Sequence, residues 1–425
     1  MTTMNTIIQG LLSYHQQMED SGQFSPNDLL EKMEPIYNAI APTPHKPRIL
    51  ISFGGGVGDL VLLSPCLREI RRIYAQAHIF LVVSPNAYEL ASSCPYVDEV
   101  APFGFICNLN SGTELFYIEC VAFVQKYLSQ PCDIAFDFAS CFTGSLLSYM
   151  SGARTRFMFL PETDWYFFHN DIPYKAAQIL NTELYPEKKL SPHTVDRYLA
   201  VLDNLLHYPV ANRELAVWFT DSDMDRVKPL LAAGDGQTRI AIGLGGSGNG
   251  RKSWPIENYR QLLQQIIARD DSVHFLIIGG PDEREAGSFL AEHISPRYLT
   301  NLAGQLTFQQ TSALLSLCHY YIGNDTSAMH LAAANHLPSL VVFAYAANLP
   351  PSESSVVARY APYHVPSVII QPDNALPECL QHLGNPVQEW LGCISGHAHC
   401  ITQVSVIEMY NGYLTLRKLQ SEAEQ

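Results

Sequence analysis

Apolar runs and amphipathic stretches alternate along the chain in two successive series. The first series begins with RILISF, a continuous apolar run that ends in a glycine turn, and an amphipathic stretch from residue 57 to 74 follows it. Continuous apolar runs bounded by turns are typical of strands buried on both faces, and the 3.6-residue periodicity between them indicates helices. The further strands predicted in this series are HIFLVVSP, VDEVAPFG and DIAFDFAS, with helices in NAYELASSCP, in residues 114–129 and in LLSYMSG.

A second series starts near residue 238, after the turn-rich segments YPVANRE and AAGDGQ. Its predicted strands are RIAIGLGG, HFLIIGG, YYIGND and SLVVFAY, and its predicted helices cover residues 256–269, 282–293, 307–318 and 327–335. Strand and helix alternation of this kind predicts a parallel sheet covered on both faces. The fold class is therefore α/β, with two doubly wound, Rossmann-like domains in tandem and a cleft expected between them.

Four segments follow from this pattern. Residues 1–44 carry helical periodicity that ends in the proline-rich APTPHKP, and they are interpreted as an N-terminal extension. The two domains are placed at residues 45–215 and 216–403. Residues 404–425 read as a final helix that crosses back to the first domain.

Composition and charge narrow the class of protein. The 425 residues carry a net charge of −15, which divides into −4, −4 and −7 for residues 1–44, 45–215 and 216–425. Without a basic segment, nucleic-acid binding is not expected, and membrane contact is expected to be peripheral at most. No apolar run approaches the ~20 residues that span a bilayer, and the N-terminus lacks a basic signal-peptide region. A cytoplasmic protein with reduced cysteines is expected.

Three glycine-containing loops follow predicted strands, where ligands bind in open α/β sheets. In the first, FGGGVGDL, Asp59 falls in the first turn of a helix. There it is either a capping acid favoured by the helix dipole or a general base that faces the cleft. In the second, GLGGSGNGRKSWP, glycines permit close backbone approach and Arg251 and Lys252 add positive charge. This loop is either a phosphate site or a solvated basic turn.

The third loop is GNDTSAMHLAAA, residues 323–334. Asp325 and Thr326 occupy the turn, and the free N–H groups of the following helix can hold a diphosphate. An ordinary helix cap explains the first two residues in part, but it does not explain His330 in the second turn of an apolar helix. His330 is either a core histidine bonded to a carbonyl or a member of the site.

Five motifs in register resemble the bacterial heptosyltransferases, glycosyltransferase family nine. The resemblance covers about residues 48–345 and the final helix. Such enzymes have the GT-B fold, in which the first domain binds the acceptor and the second binds the nucleotide sugar. The motifs are GDLVLLSPCLREIRRIY, HTVDRYLAVL, RKSWPIENY, IIGGPDERE and NLAGQLTFQQTSALLSLCHYYIGNDTSAMHLAAA.

The resemblance implies a role for each matched position. Asp59 matches the catalytic base, and Glu283 matches the acid that holds the ribose hydroxyls. The family motif is usually Asp-Ser-Gly-Pro-Met-His, so Ser327 places a side chain where glycine backbone would approach the donor. The remaining matches are the phosphate contacts Ser247 and Lys252 and the donor motif residues Asp325, Thr326 and His330.

The reaction implied is inverting transfer of a heptose from ADP-heptose to a hydroxyl, with no divalent metal. The acidic first domain gives weight to a protein or neutral saccharide acceptor, so a protein and a lipopolysaccharide core both stay open, as does a homo-oligomer. Two other functions compete on the same fold. A non-catalytic nucleotide-sugar-binding protein is disfavoured because Asp59, Lys252 and Asp325 occur together, and an epimerase because the first loop lacks a second carboxylate.

Two clusters lie outside this scheme. The tail CLQHLGNPVQEWLGCISGHAHC contains Cys379, Cys393 and Cys400 with two histidines, which are ligands suited to structural zinc or iron. Cysteine-rich tails also resemble the autotransporter heptosyltransferases, which glycosylate proteins and carry an iron-binding finger. Because the spacing matches no standard knuckle, packing cysteines are the alternative. The aromatic residues 165–168 either stack on a sugar, anchor a protein partner or form a buried cluster.

Overall fold

The computed structural model describes Ser13 and residues 46–106, 114–160, 177, 179–186, 192–205, 208–245, 252–348, 356–375 and 399–423. These residues divide into two compact units. The first takes the described residues up to Leu60, those of Cys66–Leu190 and those of Arg197–Asn212. The second takes Val61–Pro65, the described residues of Ser191–Asp196 and those from Arg213 onward.

The first unit contains a parallel sheet of six described strands in the order β3-β2-β1-β4-β5-β6. β1 lies at its centre because RILISF is apolar on both faces and nearly all of it is buried. The strands are β1 Arg48–Phe53, β2 His78–Val83, β3 Glu99–Pro102, β4 Ile134–Asp137, β5 Thr155–Leu160 and β6 Glu183–Pro186. The helices are α1 Val57–Ile73, α2 Tyr88–Ala91, α3 Glu114–Tyr127, α4 Phe142–Met150 and α5 Thr194–Ala200, with a π-helical turn at Val201–Leu205.

The second unit repeats this architecture with the strand order β12-β11-β10-β7-β8-β9. The strands are β7 Thr238–Gly243, β8 Val273–Ile278, β9 Leu299–Asn301, β10 Tyr320–Asn324, β11 Ser339–Val342 and β12 Ser367–Ile370. The helices are α6 Asp221–Val227, α7 Ile256–Ile267, α8 Arg284–His293, α9 Phe308–Leu315, α10 Ser327–Ala334, α11 Val356–Tyr360 and α12 Val406–Ala423. Short 3-10 segments occupy Pro85–Ala87, Lys228–Gly234, Pro281–Glu283 and Ile401–Gln403.

Both sheets reverse direction at the same place in their topology. In the first unit the chain builds outward from β1 to β3 and then returns to place β4 beside β1. In the second it builds outward from β7 to β9 and returns to place β10 beside β7. At such a switch point the two connecting helices run to opposite faces, which opens a crevice beyond the carboxyl ends of the central strands. The α/β prediction with two doubly wound sheets is confirmed.

The final helix, α12, packs on the second sheet. Met409, Tyr413 and Leu416 are buried in the hydrophobic core of that unit, and a Cβ added at Gly412 would lie 2.8 Å from Leu340 Cδ1. Arg417 donates to Asp270 at 3.1 Å. The contacts named here lie within the second unit, and the crossing of this helix back to the first domain stays a prediction.

Some elements were not predicted from the sequence. The strands that were not predicted are three to six residues long: β5, β6, β9 and β12. β12 is also only half-buried along its length, so the sequence shows no long apolar run at its position. The predicted extension at residues 1–44 lies, apart from Ser13, outside the described residues. The domain limits at 44, 215 and 403 stay predictions. Within the described ranges, none of the helices combines the length and apolarity needed to cross a membrane.

Candidate active site

A buried asparagine organises the carboxyl edge of the second sheet. Asn324 ends β10, and its side-chain amide donates to the carbonyl oxygens of Leu244 at 2.8 Å and Gly245 at 3.0 Å. Its Oδ1 accepts from the Trp254 backbone N–H at 3.3 Å and from the Tyr259 hydroxyl at 3.0 Å. One side chain therefore ties together both ends of the glycine-rich loop that follows β7. Lys252, two residues before Trp254 in that loop, is thereby held near β10.

Lys252 and Asp325 form an ion pair at this edge. Lys252 Nζ lies 3.1 Å from Asp325 Oδ2, and the two side chains are 30% and 10% exposed. Burial by itself would lower the pKa of Lys252, but the attraction of the Asp325 carboxylate outweighs it and raises the pKa above its ordinary value. The ammonium also lies 5.9 Å from the centre of the Tyr345 ring. The lysine is therefore a fixed, permanently charged cation.

The N-terminus of α10 lies directly after this ion pair. Thr326 is the N-cap residue, yet its side chain makes no capping hydrogen bond to the helix. Its side chain instead partly offsets the rise that burial causes in the pKa of the Tyr321 phenol. Ser327 and Ala328, which begin the helix, are half-exposed. Because the first N–H groups of a helix have no partner within it, they are available to an anionic ligand.

His330 lies one turn further along α10 and is 5% exposed. Burial, then the nearby His193 and Lys252, lower its pKa to about 3, so the imidazole is neutral. Its Nδ1 is buried and has no hydrogen-bond partner among the residues that the structure describes. The ring meets Tyr360 edge to face, with centroids 6.5 Å apart. The described residues therefore provide no carbonyl that bonds to Nδ1 of His330, as the core-histidine alternative would require.

Glu283 follows β8 and lies against the loop after β7. A Cβ added at Gly245 would lie 2.6 Å from Glu283 Oε1, so this carboxylate needs glycine beside it. Gly279, with φ of 155°, makes the turn that brings Glu283 back to the sheet edge. Burial raises the pKa of Glu283 above its ordinary value, and the nearby Asp282 carboxylate adds to this, although a hydrogen bond from the Gly280 backbone acts in the opposite direction. A half-buried carboxylate of this kind is suited to accept hydrogen bonds from neutral hydroxyls.

Together these groups form a candidate anion site, with a carboxylate beside it that can accept from hydroxyl groups. The cation of Lys252 and the start of α10 can share the charge of a diphosphate. Glu283, near the end of the neighbouring strand β8, lies where the rest of a nucleotide extends across a Rossmann-type sheet edge. The structure thus brings Lys252, Glu283, Asp325, Thr326, Ser327 and His330 to one edge of the second sheet.

In the first unit, Asp59 lies in the first turn of α1, above the switch point of its sheet. Asp59 Oδ2 accepts from the Gly56 N–H at 3.0 Å, so the acid does cap the helix. A Cβ on Gly55 would lie 2.6 Å from Asp59 Cβ, which makes this glycine a requirement of the turn. The carboxylate is half-exposed, and a carboxylate can accept several hydrogen bonds at once. Capping and a role as base are compatible.

A second acid at this edge was missed by the sequence reasoning. Asp137 ends β4, is 1% exposed, and accepts from the Ser140 N–H at 3.0 Å and the Ser145 hydroxyl at 2.7 Å. Burial, followed by the nearby Cys141 thiol, raises its pKa well above the ordinary value. The only signal was an acid inside the apolar run DIAFDFAS. Because its oxygens are engaged by Ser140 and Ser145, Asp137 stabilises the β4–α4 turn.

Comparison with known proteins identifies this architecture. A model of glycosyltransferase family 9 (heptosyltransferase) matches residues 125–358, which is more than half of the chain. The chain belongs to glycosyltransferase family 9. The family resemblance and the glycosyltransferase prediction are thereby confirmed.

Among family 9 relatives, lipopolysaccharide heptosyltransferase 2 of Escherichia coli strain K12 is 23% identical over 307 residues, covering 70% of this chain and 82% of that protein. A family 9 glycosyltransferase from Veillonella parvula superposes with a TM-score of 0.67 at 17% identity, covering 88% of this chain and 98% of the other. The E. coli ADP-heptose lipopolysaccharide heptosyltransferase II superposes with a TM-score of 0.62 at 18% identity, covering 88% and 99%. The GT-B fold prediction is confirmed.

Several predicted residues of this family 9 protein lie outside the described residues. They are Ser247, Cys379, Cys393 and the aromatic residues 165–168. Cys400 is described, with its Sγ 3.6 Å from His399 Nδ1. Over the described part of the chain, no group of three or more His, Cys, Asp or Glu side chains is arranged to hold a metal. The predicted structural metal stays a prediction. The residues that sequence reasoning missed at the anion site are Asn324, Tyr345 and Tyr360.

Proposed function

We propose that this protein transfers a heptose from ADP-heptose to an acceptor hydroxyl with inversion at the anomeric carbon. The observation that carries the proposal is the pairing of a fixed cation, Lys252, with the open N-terminus of α10 at the switch point of the second sheet. This is an arrangement for a leaving diphosphate, whose charge grows as the sugar departs. The ADP-heptose named for the E. coli relative supports this choice of donor.

In the proposed site, the donor lies along the edge of the second unit. Lys252 and the N–H groups after Thr326 hold the diphosphate, with Ser247 as a further phosphate contact. Glu283 accepts from the ribose hydroxyls, and Asp325 and His330 orient the sugar. Ser327, in place of the usual glycine, adds a hydroxyl at the helix start, where it can donate to a phosphate oxygen. Because the cation belongs to the protein, transfer is expected to persist in excess EDTA.

Asp59 is the proposed general base of the first unit. Its carboxylate takes the proton of the acceptor hydroxyl as that oxygen bonds to the anomeric carbon, and the bond from that carbon to the diphosphate breaks on the opposite face. The capping bond from the Gly56 N–H, at 3.0 Å, fixes the orientation of the carboxylate that is proposed to receive the proton. The acidic first domain gives weight to a protein or neutral saccharide acceptor, whereas the lipopolysaccharide named for the E. coli relative gives weight to a lipopolysaccharide core, so both acceptors are proposed.

Nucleotide binding tests the donor assignment. Calorimetric titration of the purified protein with ADP, UDP and GDP is expected to show selective ADP binding. Lys252→Ala should weaken it at least about tenfold, because a charged hydrogen bond to phosphate is worth about 1.5–3 kcal/mol. Lys228→Ala removes an exposed lysine of the same unit and is the control. Equal affinity for all three nucleotides, or full ADP affinity in Lys252→Ala, contradicts the donor proposal.

The base assignment has its own test. Asp59→Asn keeps an oxygen to cap Gly56 but loses the basic carboxylate, so the protein should fold and bind ADP normally. Transfer from ADP-heptose should fall by about 10²–10⁴-fold, the usual contribution of a general base. Transfer at the wild-type rate would exclude Asp59 as the base. Hydrolysis or isomerisation of the donor without transfer would favour the epimerase class instead.

A further inference from the structure

The motif HTVDRYLAVL contributes a histidine whose structural role the proposed reaction leaves unexplained. His193 precedes α5 and is half-buried, and its two ring nitrogens are both engaged. Nδ1 lies 3.2 Å from the Val195 backbone N–H, which can only donate. Nε2 lies 3.0 Å from the Ala361 carbonyl oxygen, which can only accept. His193 is therefore the neutral tautomer with its proton on Nε2.

His193 belongs to a cluster that we term the linker clamp, formed by His193, Asp196, Glu214, Tyr363 and His364. The Tyr363 ring packs between the two imidazoles, with centroids 4.6 Å from His193 and 3.9 Å from His364. Its hydroxyl donates to Asp196 Oδ1 at 2.8 Å. His364 Nδ1 lies 3.2 Å from Glu214 Oε1.

The clamp joins two chain segments to one loop of the second unit. The chain leaves this unit after Asp196 and re-enters it at Arg213, and those two residues are themselves paired at 3.1 Å. Both segments are tied to residues 361–364, which follow α11. The helix before this loop, α11, is only five residues long and supplies little rigidity of its own. The position of the loop therefore depends on the contacts of the clamp.

The clamped loop continues directly into the anion site. Tyr360, next to the Ala361 carbonyl that His193 binds, meets the His330 ring edge to face at 6.5 Å. Tyr360 is also among the groups that raise the pKa of Lys252. Because Tyr360 is covalently joined to Ala361 and contacts His330, we expect a shift of Ala361 to move the Tyr360 ring relative to the site.

We propose that His193 is a positioning residue for the nucleotide site, acting through its hydrogen bond to Ala361. This inference rests on the proposed function, since it takes ADP as the ligand of Lys252. It separates two tasks of one ring. The bond from Val195 to Nδ1 stabilises the start of α5, whereas the bond from Nε2 to Ala361 places Tyr360 against His330 and Lys252.

Two amide substitutions separate these tasks. An asparagine oxygen reaches about as far as Nδ1, so His193→Asn keeps the bond to Val195 and loses the bond to Ala361. A glutamine nitrogen reaches about as far as Nε2, so His193→Gln keeps the bond to Ala361 and loses the helix cap. ADP affinity measured by calorimetry should fall about fivefold in His193→Asn and stay within about twofold of wild type in His193→Gln.

Thermal unfolding distinguishes a positioning role of His193 from a purely structural one, in which loss of ADP affinity would follow loss of stability. The melting temperature should fall more in His193→Gln, which loses the cap, than in His193→Asn, so affinity and stability change in opposite order. Glu214→Gln, which alters only the exposed outer pair of the clamp, is the control and should leave ADP affinity within about twofold.

The outcomes are distinguishable. Wild-type ADP binding that is preserved in His193→Asn overturns the positioning role alone. So does a loss of affinity that follows the melting temperature in both variants. A wild-type protein that binds none of ADP, UDP and GDP overturns the proposed function and this inference with it.

Discussion

The ion pair between Lys252 and Asp325 leads to a counter-intuitive prediction about nucleotide affinity. A diphosphate bound at Lys252 competes with the Asp325 carboxylate for the same ammonium group. Replacing Asp325 by Asn removes the competing charge while preserving the size of the side chain. We therefore expect Asp325→Asn to bind ADP more tightly than the wild-type protein does, although Asp325 belongs to the donor motif.

The expected size follows from the geometry. At the 3.1 Å separation of the two charged atoms, the Coulomb attraction is about 5 kcal/mol for an effective dielectric constant of about 20. Desolvation offsets most of this, and hydrogen bonds between charged groups contribute about 1.5–3 kcal/mol net. The Asn oxygen would retain about 1 kcal/mol as a neutral acceptor. The difference, about 0.5–2 kcal/mol, corresponds to ADP binding about 2- to 30-fold tighter.

The assay is calorimetric titration with ADP, paired with thermal unfolding. Without nucleotide, Asp325→Asn should melt a few degrees lower, because a mostly buried ammonium loses its charged partner. With saturating ADP the variant should gain more stability than the wild type. Asp271→Asn makes the same change in net charge at the start of β8, the opposite edge of the sheet, and should leave ADP affinity unchanged. Weaker or equal ADP binding by Asp325→Asn would refute the competition and make Asp325 a direct contributor to nucleotide binding.

Three further predictions concern single contacts. Tyr345→Leu should weaken ADP binding about fivefold in calorimetry, since a cation–π contact with Lys252 is worth about 1 kcal/mol. Tyr345→Phe keeps the ring and should bind ADP within about twofold of wild type. Equal losses of affinity in the two variants would exclude a role for the ring. Burial and the nearby His193 and Lys252 lower the pKa of His330 to about 3, below its value of about 6.5 in the unfolded chain. Between these two pH values the unfolded state binds more protons than the folded state. The free energy of unfolding should therefore fall as the pH drops from about 6.5 toward 3. Urea denaturation of His330→Gln should show a shallower decline, and an unchanged one would contradict the assignment. Gly55→Ala would place a Cβ 2.6 Å from Asp59 Cβ and 2.5 Å from Phe53 Cζ, so it should cost about 1–3 kcal/mol of stability and impair transfer, whereas Gly104→Ala, which meets nothing within 4 Å, should do neither.

The central strands of both sheets could be predicted from the sequence because their physics is local. A strand buried on both faces must be mostly apolar, as RILISF and HFLII are, and the glycine turns that follow mark its end. Strands such as ELYP and SVII could not be predicted in this way. They are short, and SVII is only half-buried, so their pairing depends on neighbours distant in sequence.

The site residues divide along the same line. Asp59, Lys252 and Asp325 could be proposed because each follows a recognisable strand and turn. Asn324 was read only as the end of a strand, although its amide ties the two ends of the loop after β7 at distances of 2.8–3.3 Å. Tyr345 and Tyr360 come from loops whose position relative to Lys252 depends on the folded chain. A hydrophobic or motif pattern along the sequence does not indicate which distant residues come into contact in the folded chain.

The two sheets share one strand order, so their different tasks must come from the side chains at the switch points. In the first unit the half-exposed Asp59 lies at the edge above β1 and β4, where Asp137 is buried and burial raises its pKa. In the second unit the edge above β7 and β10 carries Lys252, which is paired with Asp325, and an open helix N-terminus. A half-exposed carboxylate can accept a proton from a hydroxyl but repels phosphate, whereas a lysine and the N–H groups of a helix start attract phosphate. Asp59 at the first switch point and Lys252 at the second therefore support assigning the acceptor hydroxyl to the first unit and the diphosphate to the second.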